Sequence, residues 1–165
     1  MNNKKAFTLV ELMVVIAIFG IIGLIAAPNL VTGLPKYRIK RAARDITSKI
    51  RAARAEAIKT SSNIDIEFDV GNNRYSVDGV WYPEGNSSSL SAYYGSGVRF
   101  GVGNSGDDNG TSTFTDNTVT FNSRGINTAG DGEINLTNTE DAAYRIEINA
   151  AGNISLQQWI GSDWQ

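Results

Sequence analysis

The sequence predicts an α+β protein: one long, kinked N-terminal helix, transmembrane in its first half, packed on an antiparallel β-sheet body. Three observations carry that prediction. Residues 12–27 form a run without a charge, which residues 7–10 extend backwards across a single carboxylate, Glu11. Apolar residues then recur at three- and four-residue spacing as far as Ala57, the stripe of an amphipathic helix. Past Asn63 the period drops to two, and short alternating runs are separated by Gly, Ser, Asn and Asp.

Taken in order, residues 7–27 make about 30 Å of helix, enough to cross a bilayer. A removable secretory signal would need small residues before a cut, and Leu24 and Ile25 stand where those should be. The apolar segment is therefore expected to be retained. Pro28 should kink the helix and Pro35 interrupt it again, because proline lacks the amide hydrogen and crowds the preceding turn. Residues 28–60 read as an amphipathic basic helix with Ile39, Ala42, Ile46, Ile50, Ala53 and Ala57 on its apolar face, and Thr60-Ser61-Ser62-Asn63 stops it. In the β-rich body, residues 61–165, Ile64, Ile66, Phe68 and Val70 alternate with Asp65, Glu67 and Asp69, and Gly71-Asn72-Asn73 turns that strand into Arg74–Val77. Further short strands are expected at 98–102, 118–122, 133–136, 144–148 and 153–159, with a turn at 150–153 and loops at 84–97 and 103–117.

Composition narrows the function classes. The chain has no cysteine, hence no disulfide and no thiolate metal site. It has no histidine either, which removes the commonest general base and any Ser-His-Asp triad; Ser105, in Gly103-Asn104-Ser105-Gly106, is no nucleophile motif without one. Residues 29–60 carry nine lysines and arginines against two carboxylates, a net +7, whereas residues 61–165 carry four arginines against 14 carboxylates, a net −10. The basic part reads as an arm and the acidic part as a separate soluble body. A carboxylate inside a membrane-length apolar stretch is costly, so Glu11 is expected to have a partner.

Ala6-Phe7-Thr8-Leu9-Val10-Glu11-Leu12, behind a short leader with Lys4 and Lys5, resembles the prepilin-peptidase site of type IV pilins and type II secretion pseudopilins. The resemblance implies that residues 1–6 are a leader, removed by a cut between Ala6 and Phe7, with Phe7 then N-methylated. Where the family usually has glycine before the cut, this chain has Ala6, which is also small. Further along, residues 52–58 (Ala-Ala-Arg-Ala-Glu-Ala-Ile), the segment from Val119 to Gly125 and a closing hairpin over 144–156 look like the H-type pseudopilins and FimT-like minor pilins. That resemblance implies a lollipop-shaped structural subunit of a type II secretion pseudopilus or, alternatively, a minor pilin of a type IV pilus that primes the pilus or takes up DNA. A membrane-anchored periplasmic enzyme or binding domain is the third reading.

By the same resemblance the partners are other pilin or pseudopilin subunits, the prepilin peptidase, the bacterial inner membrane and a secreted cargo. Thr8 and Glu11 serve assembly, Glu11 pairing with the Phe7 amine of a neighbour, while Gly20 and Pro28 bracket a stretch that loses helicity in the filament. The N-terminus is cytoplasmic and the body periplasmic, although the Lys/Arg-rich flank after residue 28 taken alone would place the body inside.

Other features weigh less. The basic face from Lys36 to Arg54 would suit DNA phosphates. The arginine-bearing tail of DNA-binding FimT-like pilins is missing from Trp159–Gln165, however, so a solvated or interface-facing surface is expected. Asp107, Asp108 and Asn109 offer oxygens for Ca²⁺ but without EF-hand spacing, and such clusters are usually turns. No cofactor is expected. Trp81 and Trp159 are expected in the core, with Trp164 either a partner contact or a frayed end.

Overall fold

The computed structural model describes residues 7–84, 89–103 and 110–165, and the side chains among these except those of residues 24–32. The chain divides into two units, Met1–Leu34 and Pro35–Gln165. Helix α1, Leu9–Thr60, runs through both, and the backbone stays helical at Pro28 and Pro35. It ends where the polar stop was expected, with Ser61 left-handed at φ 53°.

In the second unit the α1 stripe named from the sequence is buried in full: Ile39, Ala42, Ile46, Ile50, Ala53 and Ala57, joined by Ala43. Two four-stranded antiparallel sheets share that core. One has the order β3 (Val80–Tyr82), β2 (Arg74–Val77), β1 (Ile64–Asp69), β5 (Thr118–Phe121); the other has β4 (Arg99–Phe100), β6 (Gly132–Thr137), β7 (Ala143–Ile148), β8 (Ile154–Gln158). Strand β1 alternates as expected, with Ile64, Ile66 and Phe68 inward, and Ile66 lies opposite Val77 on one side and Val119 on the other. In the second sheet Ile134, Ile146 and Leu156 form the matching row.

Three details depart from the expectations. The loop at 84–97 contains a short helix, α2 (Leu90–Tyr94), whose N-cap Ser89 accepts a hydrogen bond from the Ala92 amide and which buries Leu90. Strand β3 follows the Asp78-Gly79 turn and was not anticipated. Trp81 is not in the core: pairing opposite Ser76 puts it on the outer face, where the Arg74 guanidinium lies 4.1 Å from its ring centre. Trp159 is half-buried just beyond β8.

Candidate functional site

At the start of α1, Thr8 is the N-cap and Glu11 the third helical residue. The Glu11 amide donates to the Thr8 hydroxyl at 3.2 Å, and the Thr8 amide donates back to the Glu11 carboxylate at 3.5 Å. This is a reciprocal capping box, each side chain satisfying a backbone donor that the first turn leaves open. The two residues singled out for assembly thus hold each other in the single chain. The Thr-x-x-Glu spacing was visible in the sequence.

Beyond the cap, every apolar residue from Leu9 to Ile22 is solvent-exposed, as is Phe7 before it at 79%. A Cβ built on Gly20 or Gly23 would meet nothing within 4 Å. A helix apolar on all sides does not remain in water; it is covered by lipid or by other helices. Among the described residues no helix is long and apolar enough to cross a membrane. Ala6, and the side chains of the last residues of the 7–27 stretch and of Pro28, lie outside the described residues.

In the body, the structure joins the two motif segments that resembled one another's counterparts in pseudopilins. Arg54, on α1, donates from Nε to the Gly125 carbonyl at 2.9 Å and from Nη2 to the Ala151 carbonyl at 3.3 Å. One turn earlier Arg51 donates to the Ile154 carbonyl at 3.1 Å. One helix face therefore clasps the 122–127 turn and the β7–β8 hairpin together. Gly125 (φ 73°) and Gly152 (φ 81°) are glycines for two reasons: left-handed backbone, and no room for a Cβ, which would meet Ile58 at Gly125 and the Gly125 carbonyl at Gly152, with Arg54 close behind in both.

The basic strip is largely committed within the molecule. Arg38 donates to Ser96, Arg41 pairs with Asp45 and Lys49 with Glu84, while Arg51 and Arg54 hold the clasp. Asp107, Asp108 and Asn109 lie outside the described residues, among which no carboxylate cluster could hold a metal. Trp164 is not frayed: its ring sits 5.4 Å from that of Trp159, with the Arg145 guanidinium 4.1 Å from its centre. Arg145 in turn pairs with Glu133 at 3.2 Å, both side chains nearly buried, and burial lowers the arginine's pKa against the opposing pull of Glu147.

Residues 42–152, well over half of the chain, match the family described as type II transport protein GspH. The chain belongs to the GspH family. The GspH match begins on the buried stripe of α1 and ends at Gly152, so it takes in the whole Arg54 clasp. Residues 1–27 match the prokaryotic N-terminal methylation motif. Two relatives named fimbrial protein, from Pseudomonas aeruginosa, are 31% identical over 77 residues, covering 43% of this chain and 50% of each relative. The chain thus spans about half the length of the curated relatives it matches. A crystal structure of the Pseudomonas aeruginosa type IV minor pilin FimU shares the fold, with a TM-score of 0.50 at 16% identity over 73% of this chain and 89% of that one.

Proposed function

We propose that this GspH-family chain is a structural, non-catalytic minor subunit of a type II secretion pseudopilus, assembled through the first half of α1. In this reading a prepilin peptidase removes residues 1–6 at the inner membrane, cutting between Ala6 and Phe7, and Phe7 becomes N-methylated. Residues 7–27 then hold the protein in the bilayer with its body periplasmic, and later pass into a filament where neighbouring helices replace the lipid. The observation that carries this is the all-round exposure of the apolar residues from Leu9 to Ile22, within the segment that matches the N-terminal methylation motif.

Among the described residues the Glu11 carboxylate accepts one weak hydrogen bond, at 3.5 Å from the Thr8 amide of its own helix start. Inside a dry helix bundle a carboxylate gains far more from a full positive charge than from an amide, and the Phe7 amine of a neighbour would supply that charge. Thr8 would keep the helix start closed meanwhile. Gly20, with open space where a Cβ would be, supports close helix approach, and Pro28 marks the place where helicity would yield. Secreted cargo is the remaining partner; the committed arginines of the basic strip argue against DNA.

A second reading, a FimT-like minor pilin of a type IV pilus, is favoured by the fimbrial names of the relatives and the FimU fold. Processing is common to both readings. Intact mass of the membrane-extracted protein, with and without the peptidase, should show loss of residues 1–6 and gain of one methyl group. An unprocessed chain, or one beginning at Asn29, would contradict both readings. Identifying the co-purifying subunits then separates them.

A further inference from the structure

Beside α1, on a face used by neither the apolar stretch nor the Arg54 clasp, the body has an open groove of about 540 Å³. Asp45, Ser48 and Lys49 of α1 form one wall, Tyr75 and Tyr82 of β2 and β3 the floor, and Tyr93 and Tyr94 of α2 the far wall. The Tyr75 and Tyr82 rings stack with centres 5.3 Å apart, the Lys49 ammonium lies 4.1 Å from the centre of Tyr82, and Tyr93 meets Tyr94 edge-on at 4.8 Å. Tyr94 donates its hydroxyl to Asp45 at 3.0 Å. The hydroxyls of Tyr75, Tyr82 and Tyr93 have no hydrogen-bond partner among the described residues, although Tyr75 is only 3% exposed. The Tyr75 ring is buried, but its hydroxyl is not a buried unpaired atom: it opens onto the groove, where a ligand could reach it. Burial, helped by the neighbouring Tyr82, Asp45 and Glu84, pushes the Tyr75 pKa up, so it stays a protonated donor.

The groove is balanced in charge. Glu84 is paired with Lys49 at 3.5 Å and Asp45 with Arg41 at 3.6 Å, so neither an anion nor a cation finds an uncompensated opposite. Its recognition elements are aromatic faces, phenolic donors and carboxylate acceptors side by side. We propose that this groove binds a neutral saccharide. A pyranose ring has an apolar C–H face to lay on the half-exposed Tyr93, and a rim of hydroxyls that donate to Asp45 and Glu84 while accepting from the free phenols. A proline-rich peptide is the nearest competitor for a tyrosine-lined groove. It presents carbonyl acceptors and few donors, so it would serve the phenols and add no donor to the lone pairs that Asp45 and Glu84 keep beyond their Tyr94, Arg41 and Lys49 contacts. The inference does not depend on which filament the chain joins.

The test uses the full chain in micelles of a detergent without a sugar headgroup, titrated with maltotetraose, cellotetraose and chitotetraose and followed by saturation-transfer NMR. Transfer to the ring C–H protons of at least one of the three is expected. Tyr93→Ala should weaken that binding about tenfold, because it removes the exposed stacking face. Tyr75→Phe should weaken it about fivefold, because it removes one hydroxyl from an otherwise unchanged ring. Tyr37→Ala, an exposed aromatic outside the groove, should leave it unchanged. Near-ultraviolet circular dichroism of each variant reports whether the body is intact. No transfer from any of the three sugars would overturn the proposal. So would binding indifferent to Tyr93→Ala in a folded body, or displacement of the sugar by a proline-rich decapeptide that binds the groove itself.

Discussion

Helix α1 holds two apolar stretches with opposite fates. From Leu9 to Ile22 the large apolar side chains are all exposed, whereas from Ile39 to Ala57 the apolar stripe is buried against two sheets. They differ in both composition and pattern: the first has large apolar residues at nearly every position, the second isoleucine and alanine at three- and four-residue spacing among charges. The second stretch places isoleucine and alanine on one face and lysine and arginine on the others, so a one-sided body can cover it. The first is apolar on every side apart from Glu11, and its large apolar side chains are all exposed. Under the proposed function its cover comes from lipid and then from the helices of neighbouring subunits.

That contrast can be broken most forcefully within the buried stripe. Ile46→Ala should cost about 2–5 kcal/mol of body stability, since the cavity lies between helix and sheets and only partly collapses. Ile18→Ala, in the exposed stretch, should leave the body's thermal transition where it was. A shift of similar size from both variants would mean that the apolar stretch is part of the body's fold.

The clasp comes next. Gly152→Ala would drive a methyl group into the Gly125 carbonyl oxygen at a left-handed backbone position, for a loss of about 3 kcal/mol. Arg54→Ala removes two hydrogen bonds from a charged donor and should cost about 2 kcal/mol. Arg54→Lys should restore little of this, because an ammonium lacks the fork that reaches both carbonyls. Chemical denaturation of the three variants ranks them.

The smallest expected effect lies in the β1–β2 turn. Hydrogen bonds from Asn72, and then Arg74, hold the Asp69 carboxyl below the usual carboxylate range. A depressed folded pKa contributes stability that is fully present above the unfolded value, about 4, and is lost as pH falls through the folded one. Asp69→Asn should therefore cost a little stability at neutral pH, where the carboxylate's contribution is fully present, and converge with the parent in acid, flattening part of the acid side of the stability–pH profile. Thermal melts between pH 2 and 7 would show this.

Much of the fold could be read from the sequence because its signals are local. Both ends of α1, the alternation in β1 and the turn at residues 150–153 each rest on residue types within a few positions of one another. Strand β3 and helix α2 escaped because they are three and five residues long, and the cap Ser89 is the last of three serines in a row, which reads as loop. The division into two sheets has no local signal, since β1 pairs with β5 some 50 residues later. The clasp was legible only in part. Arg54 and Gly125 stood out, but the atoms that Arg54 holds are backbone carbonyls, which residue identity does not reveal. At Thr8 and Glu11 the three-residue capping spacing is itself a local signal, and the structure closes it.

The most direct test of the difference between the two stretches is a crosslink. The chain has no cysteine, so a single Ile18→Cys substitution reports on what covers the exposed helix. In membranes carrying the other subunits, processed Ile18→Cys should crosslink to neighbouring subunits. Adding Glu11→Leu should leave insertion and cleavage before Phe7 intact, because the span becomes more apolar, yet largely abolish the crosslink; Glu11→Asp should fall between. Glu56→Ala, on the basic part of the same helix, should leave the crosslink unchanged. Equal crosslinking with and without Glu11→Leu would contradict pairing through Glu11 and leave it only a cap for its own helix.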